Sequence, residues 1–150
     1  MIQRIQTLYL LLASIFMLVV LFFPLAVFRC ESGGYYEMDV IQVSFNGKYF
    51  FSTIALFFIG SASALIALVT IFMHKKRMRQ IRLTLFNTFL IIGFIAYVVY
   101  LIFFFSKQLT AQWTLGIVLA LPIICIILNY LAIRAIGADE ALIRSLNRLR

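Results

Sequence analysis

A chain of 150 residues that is 65% hydrophobic, 12% charged and +8 in formal net charge falls outside soluble domains, which are roughly 45–50% apolar and about 25% charged. That composition excludes a free soluble enzyme or a polar binding module. The apolar excess is concentrated in four runs, 7–28, 51–73, 83–105 and 113–133, each 21 to 23 residues long and free of Asp, Glu, Lys and Arg. At about 1.5 Å per residue each run spans a hydrocarbon core of about 30 Å, and backbone in lipid must satisfy itself. The composition therefore predicts an all-α membrane protein, an antiparallel four-helix transmembrane bundle of one domain.

The first run, 7–28, reads as a retained signal anchor, because its apolar stretch exceeds a signal peptide's and no small-x-small site closes it. Cys30 follows Phe28 and Arg29, which argues against lipidation of the thiol. Outer loop 29–50 is the only connection long enough for extra structure. Asn46-Gly47 is a type I′ turn signal flanked by Val43, Phe45, Tyr49 and Phe50, and Tyr35–Val40 partly alternates. A small β-ribbon of two or three short strands is expected there, packed on helix ends because an isolated hairpin is marginal in water. In run 51–73, Gly60, Ala64 and Ala67 form a small-residue stripe suited to close helix approach.

Cytoplasmic loop 74–82 is a basic knot. His74, Lys75, Lys76, Arg77, Arg79 and Arg82 sit together, and the loop holds five of the chain's thirteen Lys and Arg residues. Run 83–105 places Asn87 near its inner start, with Gly93, Tyr97 and Tyr100 in a mixed stripe. A short loop, 106–112, leads to run 113–133, where Gly116 and Ala120 repeat the small-residue spacing. Pro122 is expected to free the carbonyl of Val118, and Cys125 to fill space. Asn129 lies near the inner end, at a depth similar to Asn87, so both asparagines are expected to face the interior and bond there. In the tail, 134–150, Gly137 is expected to end the fourth helix and Asp139 to cap a short cytoplasmic amphipathic helix carrying Arg144, Arg148 and Arg150.

Charge then orients the chain. With four spans, the N-terminus, the knot and the tail share one side with ten basic residues, against Arg29, Lys48 and Lys107 on the other. The positive-inside rule puts that basic side, and both termini, in the cytoplasm. Such a surface attracts anionic lipid headgroups, and Lys75, Lys76, Arg77, Arg79, Arg82, Arg144, Arg148 and Arg150 are the candidate contacts to lipid or a partner. No ionisable residue falls within a span, which argues against proton-coupled transport. The lone histidine, His74, has no second ligand nearby, and Glu31, Glu37 and Asp39 read as solvated acids. No catalytic, cofactor-binding or metal-ligating residues are expected.

The opening Met1-Ile2-Gln3-Arg4-Ile5-Gln6-Thr7-Leu8-Tyr9 and the closing Arg134-Ala135-Ile136 and Asp139-Glu140-Ala141-Leu142-Ile143-Arg144-Ser145 resemble a family of small four-span inner-membrane proteins of unknown function found in Bacteroidota. The resemblance implies a bacterial inner membrane, cytoplasmic ends and no assigned activity. Together these readings point to a non-enzymatic accessory or scaffolding subunit of a larger inner-membrane complex. Its partners would be other inner-membrane proteins, with ribosomal RNA near the basic face if the complex serves protein export, and no DNA. The alternative is a small homo-oligomeric channel or carrier for an uncharged or lipophilic solute, lined by Ser61, Ser63, Tyr97, Tyr100 and Pro122. A membrane-embedded enzyme built on the outer-loop carboxylates ranks last.

Overall fold

The computed structural model describes the backbone at 2–30, 34–73, 77–109 and 112–148, and side chains at 5–30, 34–73, 77–108 and 112–142. The chain is mostly helical, with a small antiparallel sheet. In order it forms α1 (Ile2–Val20), β1 (Ala26–Arg29), β2 (Tyr35–Met38), β3 (Gln42–Phe45), β4 (Lys48–Ser52), α2 (Ile54–Phe72), α3 (Arg77–Leu109), β5 (Gln112–Leu115), a 3-10 turn (Ile117–Leu119) and α4 (Ala120–Arg148).

Three helical stretches are long and apolar enough to cross a membrane: Ile54–Phe72, Arg77–Gln108 and Ile117–Leu142. The first expected span differs. Run 7–28 is not one helix; α1 stops at Val20, and Pro24 separates it from β1. Proline lacks the N–H a helix needs and steers its predecessor, Phe23, toward extended backbone. The described apolar part of α1, Ile5–Val20, is accordingly shorter than the other three.

The expected two- or three-stranded ribbon is a five-stranded sheet in the order β4-β3-β2-β1-β5, with every neighbouring pair antiparallel. Loop 29–50 supplies only part of it. β1 takes the end of run 7–28, β4 takes the first residues of run 51–73, and β5 takes the first residues of run 113–133. Asn46 and Gly47 do make the β3–β4 turn, with φ of 46° and 80°, the positive values that a type I′ turn demands. The Asn46 amide N–H donates to the Tyr35 carbonyl at 3.2 Å, and the Tyr35 N–H returns a bond to Asn46 Oδ1 at 3.3 Å. That pair fastens the turn to β2.

One face of the sheet packs on helix ends. Ala26, Phe28, Met38 and Val43 share a buried cluster with Leu56 of α2 and with Phe94, Val98 and Phe105 of α3. Phe105 is the aromatic junction, 6.4 Å from the ring of Phe28 in β1 and 5.5 Å from that of Phe51 in β4. Thr53 ties sheet to helix, its hydroxyl donating to the Asp39 carbonyl at 2.9 Å.

Below the sheet, α1 packs against α2 and α4, and α3 packs against both α2 and α4. Buried positions repeat four and three apart on every helix: 6, 10, 13, 17, 20 on α1; 56, 60, 63, 67, 70 on α2; 80, 84, 87, 91, 94, 98 on α3; 122, 125, 129, 132, 136 on α4. That 3.5-residue period is the seam of left-handed, slightly crossed helix packing.

Both longer helices overrun the expected loops. α3 has 33 residues, about 50 Å, and absorbs Arg77–Arg82 of the knot as well as Ser106–Leu109. His74, Lys75 and Lys76 lie outside the described residues. α4 has 29 residues, about 43 Å, and passes through Gly137 without a break. The separate C-terminal helix capped by Asp139 is therefore corrected to an extension of α4. Gly inside a helix costs about 1 kcal/mol relative to Ala. Burial of Ile136 and the pairing of Asp139 with Arg77 act against that cost. Pro122 does not kink a mid-span helix; it lies in the first turn of α4, where an absent N–H is tolerated.

Candidate functional site

The helices are arranged inside out relative to a soluble protein. Phe58, Leu65, Phe72, Phe89, Phe103 and Ile127 are exposed on their outer faces, while Gln6, Ser63, Thr70, Gln80, Thr84, Asn87 and Asn129 are buried within. Polar groups prefer each other when the alternative is hydrocarbon. The buried stripe of α3 shows a gradient: Gln80, Thr84 and Asn87 toward the knot, then Ile91, Phe94 and Val98 toward the sheet. On the other helices the knot half is mixed, with Gln6 and Thr70 buried beside Leu10, Ala67, Ala132 and Ile136, while the sheet half is sealed by aliphatic and aromatic side chains.

Asn87 closes the polar part of the α3 stripe, and Asn129 is the buried amide of α4. Asn87 is 1% exposed and Asn129 0%. Their levels follow from two pairs that flank them. Arg77 and Asp139 meet at 2.8 Å, and Ile91 and Cys125 share one buried cluster. Asn87 lies ten residues beyond Arg77 and four before Ile91, while Asn129 lies ten before Asp139 and four beyond Cys125. On antiparallel helices the equal spacing from the Arg77–Asp139 pair, with Ile91 and Cys125 in one cluster beyond, brings the two asparagines to a similar level.

Around this level the bonding is uneven. The Ser63 hydroxyl donates to Asn87 Oδ1 at 2.7 Å, and the Cys125 thiol donates to the Ala13 carbonyl at 3.4 Å. Ser14 and Thr70 return their hydroxyls to their own helices, at Leu11 and Ile66. Asn87 Nδ2 and both polar side-chain atoms of Asn129 have no hydrogen-bond partner among the described residues. A buried amide left unpaired costs about 1–3 kcal/mol, and three of the four buried side-chain polar atoms without a partner among the described residues lie at this level.

The end of the bundle away from the sheet is tied by polar contacts between helices that have no counterpart in the sequence patterns. Gln6 Nε2 of α1 donates to the Ala135 carbonyl of α4 at 3.1 Å. Arg77 reaches Asp139 twice, through the ion pair at 2.8 Å and through Nη1 to the Asp139 carbonyl at 3.2 Å. The ion pair lies outside ordinary hydrogen-bond geometry at Oδ2, so its attraction is chiefly coulombic. Both side chains are mostly buried, at 19% and 15% exposure. Arg79 and Arg82 are exposed on the first turns of α3. The side chains of Arg144, Arg148 and Arg150 fall outside the described residues.

At the opposite end the sheet presents two unshared edges. β4 and β5 are its outer strands, and every residue of each is exposed. Tyr49 of β4 and Trp113 of β5 are among the exposed side chains, and Ile117, just after β5, is 92% exposed. A cavity of about 580 Å³ opens on the sheet's far face between Val27, Arg29, Cys30, Gly34, Tyr35 and Glu37. Cys30 and Cys125 are both free thiols. Burial, with a smaller push from the Glu37 carboxylate, raises the Asp39 carboxyl above the ordinary carboxylate value.

The expected packing residues divide. Gly60, Ala64 and Ala67 are all buried on α2, and a Cβ on Gly60 would stand 2.8 Å from Leu21. Gly116 and Ala120 do not form a helix face: Gly116 precedes the 3-10 turn and Ala120 is exposed at the start of α4. Gly116 is small for another reason. Its N–H donates to the Leu25 carbonyl at 2.9 Å, and a Cβ there would meet the Pro24 carbonyl oxygen at 2.6 Å. Gly93 faces open space, and Tyr97 and Tyr100 stack on each other at 6.4 Å. The residues named for a solute path do not converge, since Ser63 is inside the core and Tyr100 is on its outer surface.

No curated protein and no solved structure matches this chain. A family profile does match, over residues 2–149. The match covers nearly the whole chain, helices and sheet alike, and the protein therefore belongs to DUF4293, a domain of unknown function.

Proposed function

We propose that the protein is a non-enzymatic accessory or scaffolding subunit of a larger bacterial inner-membrane complex, a protein-export complex being one such setting. The reading takes the four helices as a transmembrane bundle with both termini cytoplasmic. α1, at 19 residues, is about 28 Å long and so nearly matches a core of about 30 Å. The ten-to-three distribution of Lys and Arg supports the orientation.

The observation that carries the accessory role is the sheet. It is anchored to the helices through Phe28, Val43 and Phe105, while both edge strands, β4 and β5, are exposed throughout. Free edges accept another extended segment through main-chain hydrogen bonds, and natural sheets otherwise protect them. A firmly mounted sheet with open edges suits a part that holds a neighbour in place. The basic inner face would rest on anionic lipid, or near ribosomal RNA in an export complex.

Purification from native membranes in mild detergent tests this reading. The expected result is stoichiometric recovery of larger membrane proteins, reduced when Tyr49→Pro is placed in β4. A pure homo-oligomer that passes neutral solutes in liposomes overturns it in favour of the channel. Orientation is tested separately by labelling Lys48→Cys from outside and Arg134→Cys from inside.

A further inference from the structure

The unpaired amides of Asn87 and Asn129 lie at one level of the core, hidden from solvent, with Ser63 holding the far side of Asn87. We propose that this level is a binding site for ordered water, and that the water bridges Asn87 to Asn129. The chemistry of the groups selects the ligand. Two amide nitrogens donate there and one carbonyl, Asn129 Oδ1, accepts, while Asn87 Oδ1 is already engaged by Ser63. A suitable ligand must accept from both nitrogens and donate to one oxygen.

Water does both, and buried polar groups without a direct partner are commonly joined through it. A metal cation would face the two Nδ2 groups, and the runs that hold these residues contain no Asp or Glu to neutralise it. An anion would lie among neutral groups with no Lys or Arg in those runs, at a cost that lipid makes severe. An apolar occupant would leave all three atoms unpaired. The site also stands where the polar stripe of α3 gives way to Ile91 and Phe94, so the bridge sits at the end of that polar stripe.

The chain has four asparagines, at 46, 87, 129 and 147, so selective nitrogen-15 labelling of Asn gives a readable set of side-chain amides. With the full chain in lipid nanodiscs, magnetisation exchange with water is expected as long-lived cross-peaks at the Asn87 and Asn129 side chains. Asn129→Leu should abolish the water cross-peak of Asn87, and Asn129→Ser, which keeps a donor and an acceptor, should retain it. The Asn46 signal reports that the fold is intact. If a variant fails to fold, the wild-type cross-peaks alone decide. Three results overturn the proposal: contact between the two amides without water, an Asn87 water peak that survives Asn129→Leu, or amide shifts that titrate with sodium or potassium.

Discussion

At Gly116 the lack of a side chain is a matter of space. Its φ of −68° suits any residue, yet a Cβ would enter the backbone of Pro24 and Leu25 at 2.6–3.2 Å. Gly116→Ala should therefore cost about 1–3 kcal/mol by overpacking, read as a lower melting temperature in detergent. Gly93→Ala, facing open space on α3, should be neutral or stabilising. Asp39 makes a different prediction. Its carboxyl is raised by burial first and by Glu37 second, so the folded state holds its proton more tightly than the unfolded chain does. Stability from this group is greatest below the ordinary carboxylate value and declines as pH rises to the raised one. Asp39→Asn keeps the backbone bonds to Gln42 and Thr53, so it should flatten that decline. Melting curves at acid and neutral pH check this, with a gain at neutral pH only.

Between elements, the closest polar tie described at the end of the bundle away from the sheet is α3 to α4 through Arg77 and Asp139. A partly buried pair lies between exposed pairs, worth up to about 1 kcal/mol, and buried ones, whose rupture costs about 3–5. Asp139→Asn should thus cost about 1–2 kcal/mol, and the swap of Arg77→Asp with Asp139→Arg should recover part of it in a double-mutant cycle. Some of this architecture was legible beforehand. Asn46-Gly47 announces its turn because few other pairs accept positive φ twice, and Gly60, Ala64 and Ala67 announce a close face. Strand β1 was not legible, because Ala26-Val27-Phe28 is as apolar as the helix before it and a hydropathy run does not distinguish the two. Pro24 was the overlooked signal. β5 was hidden likewise at the head of run 113–133. The Arg77–Asp139 pair has no local signature at all, since 62 residues separate its members. The unsatisfied asparagine level was half legible: depth was readable from antiparallel spacing, but the bonding was not.

For the molecule as a whole, the basic knot is now partly a structural element. Arg77 is committed to Asp139, leaving Arg79 and Arg82 exposed among the described residues. Neutralising Lys75, Lys76, Arg77, Arg79 and Arg82 still leaves five basic residues on that side against three. Orientation should survive in the labelling assay while the melting temperature falls through loss of the Arg77 pair. If the protein inverts instead, the knot alone sets its topology. The β1–β5 pairing has a consequence in time. Ala26 faces Leu115, so the strand that follows the first helix waits for a partner 89 residues downstream. At about 5–20 residues per second of synthesis, that edge of β1 stays open for on the order of 5–20 s. During that interval the edge has no β5 to pair with, so a chain truncated after α3 should be degraded faster than the full chain in a pulse-chase measurement.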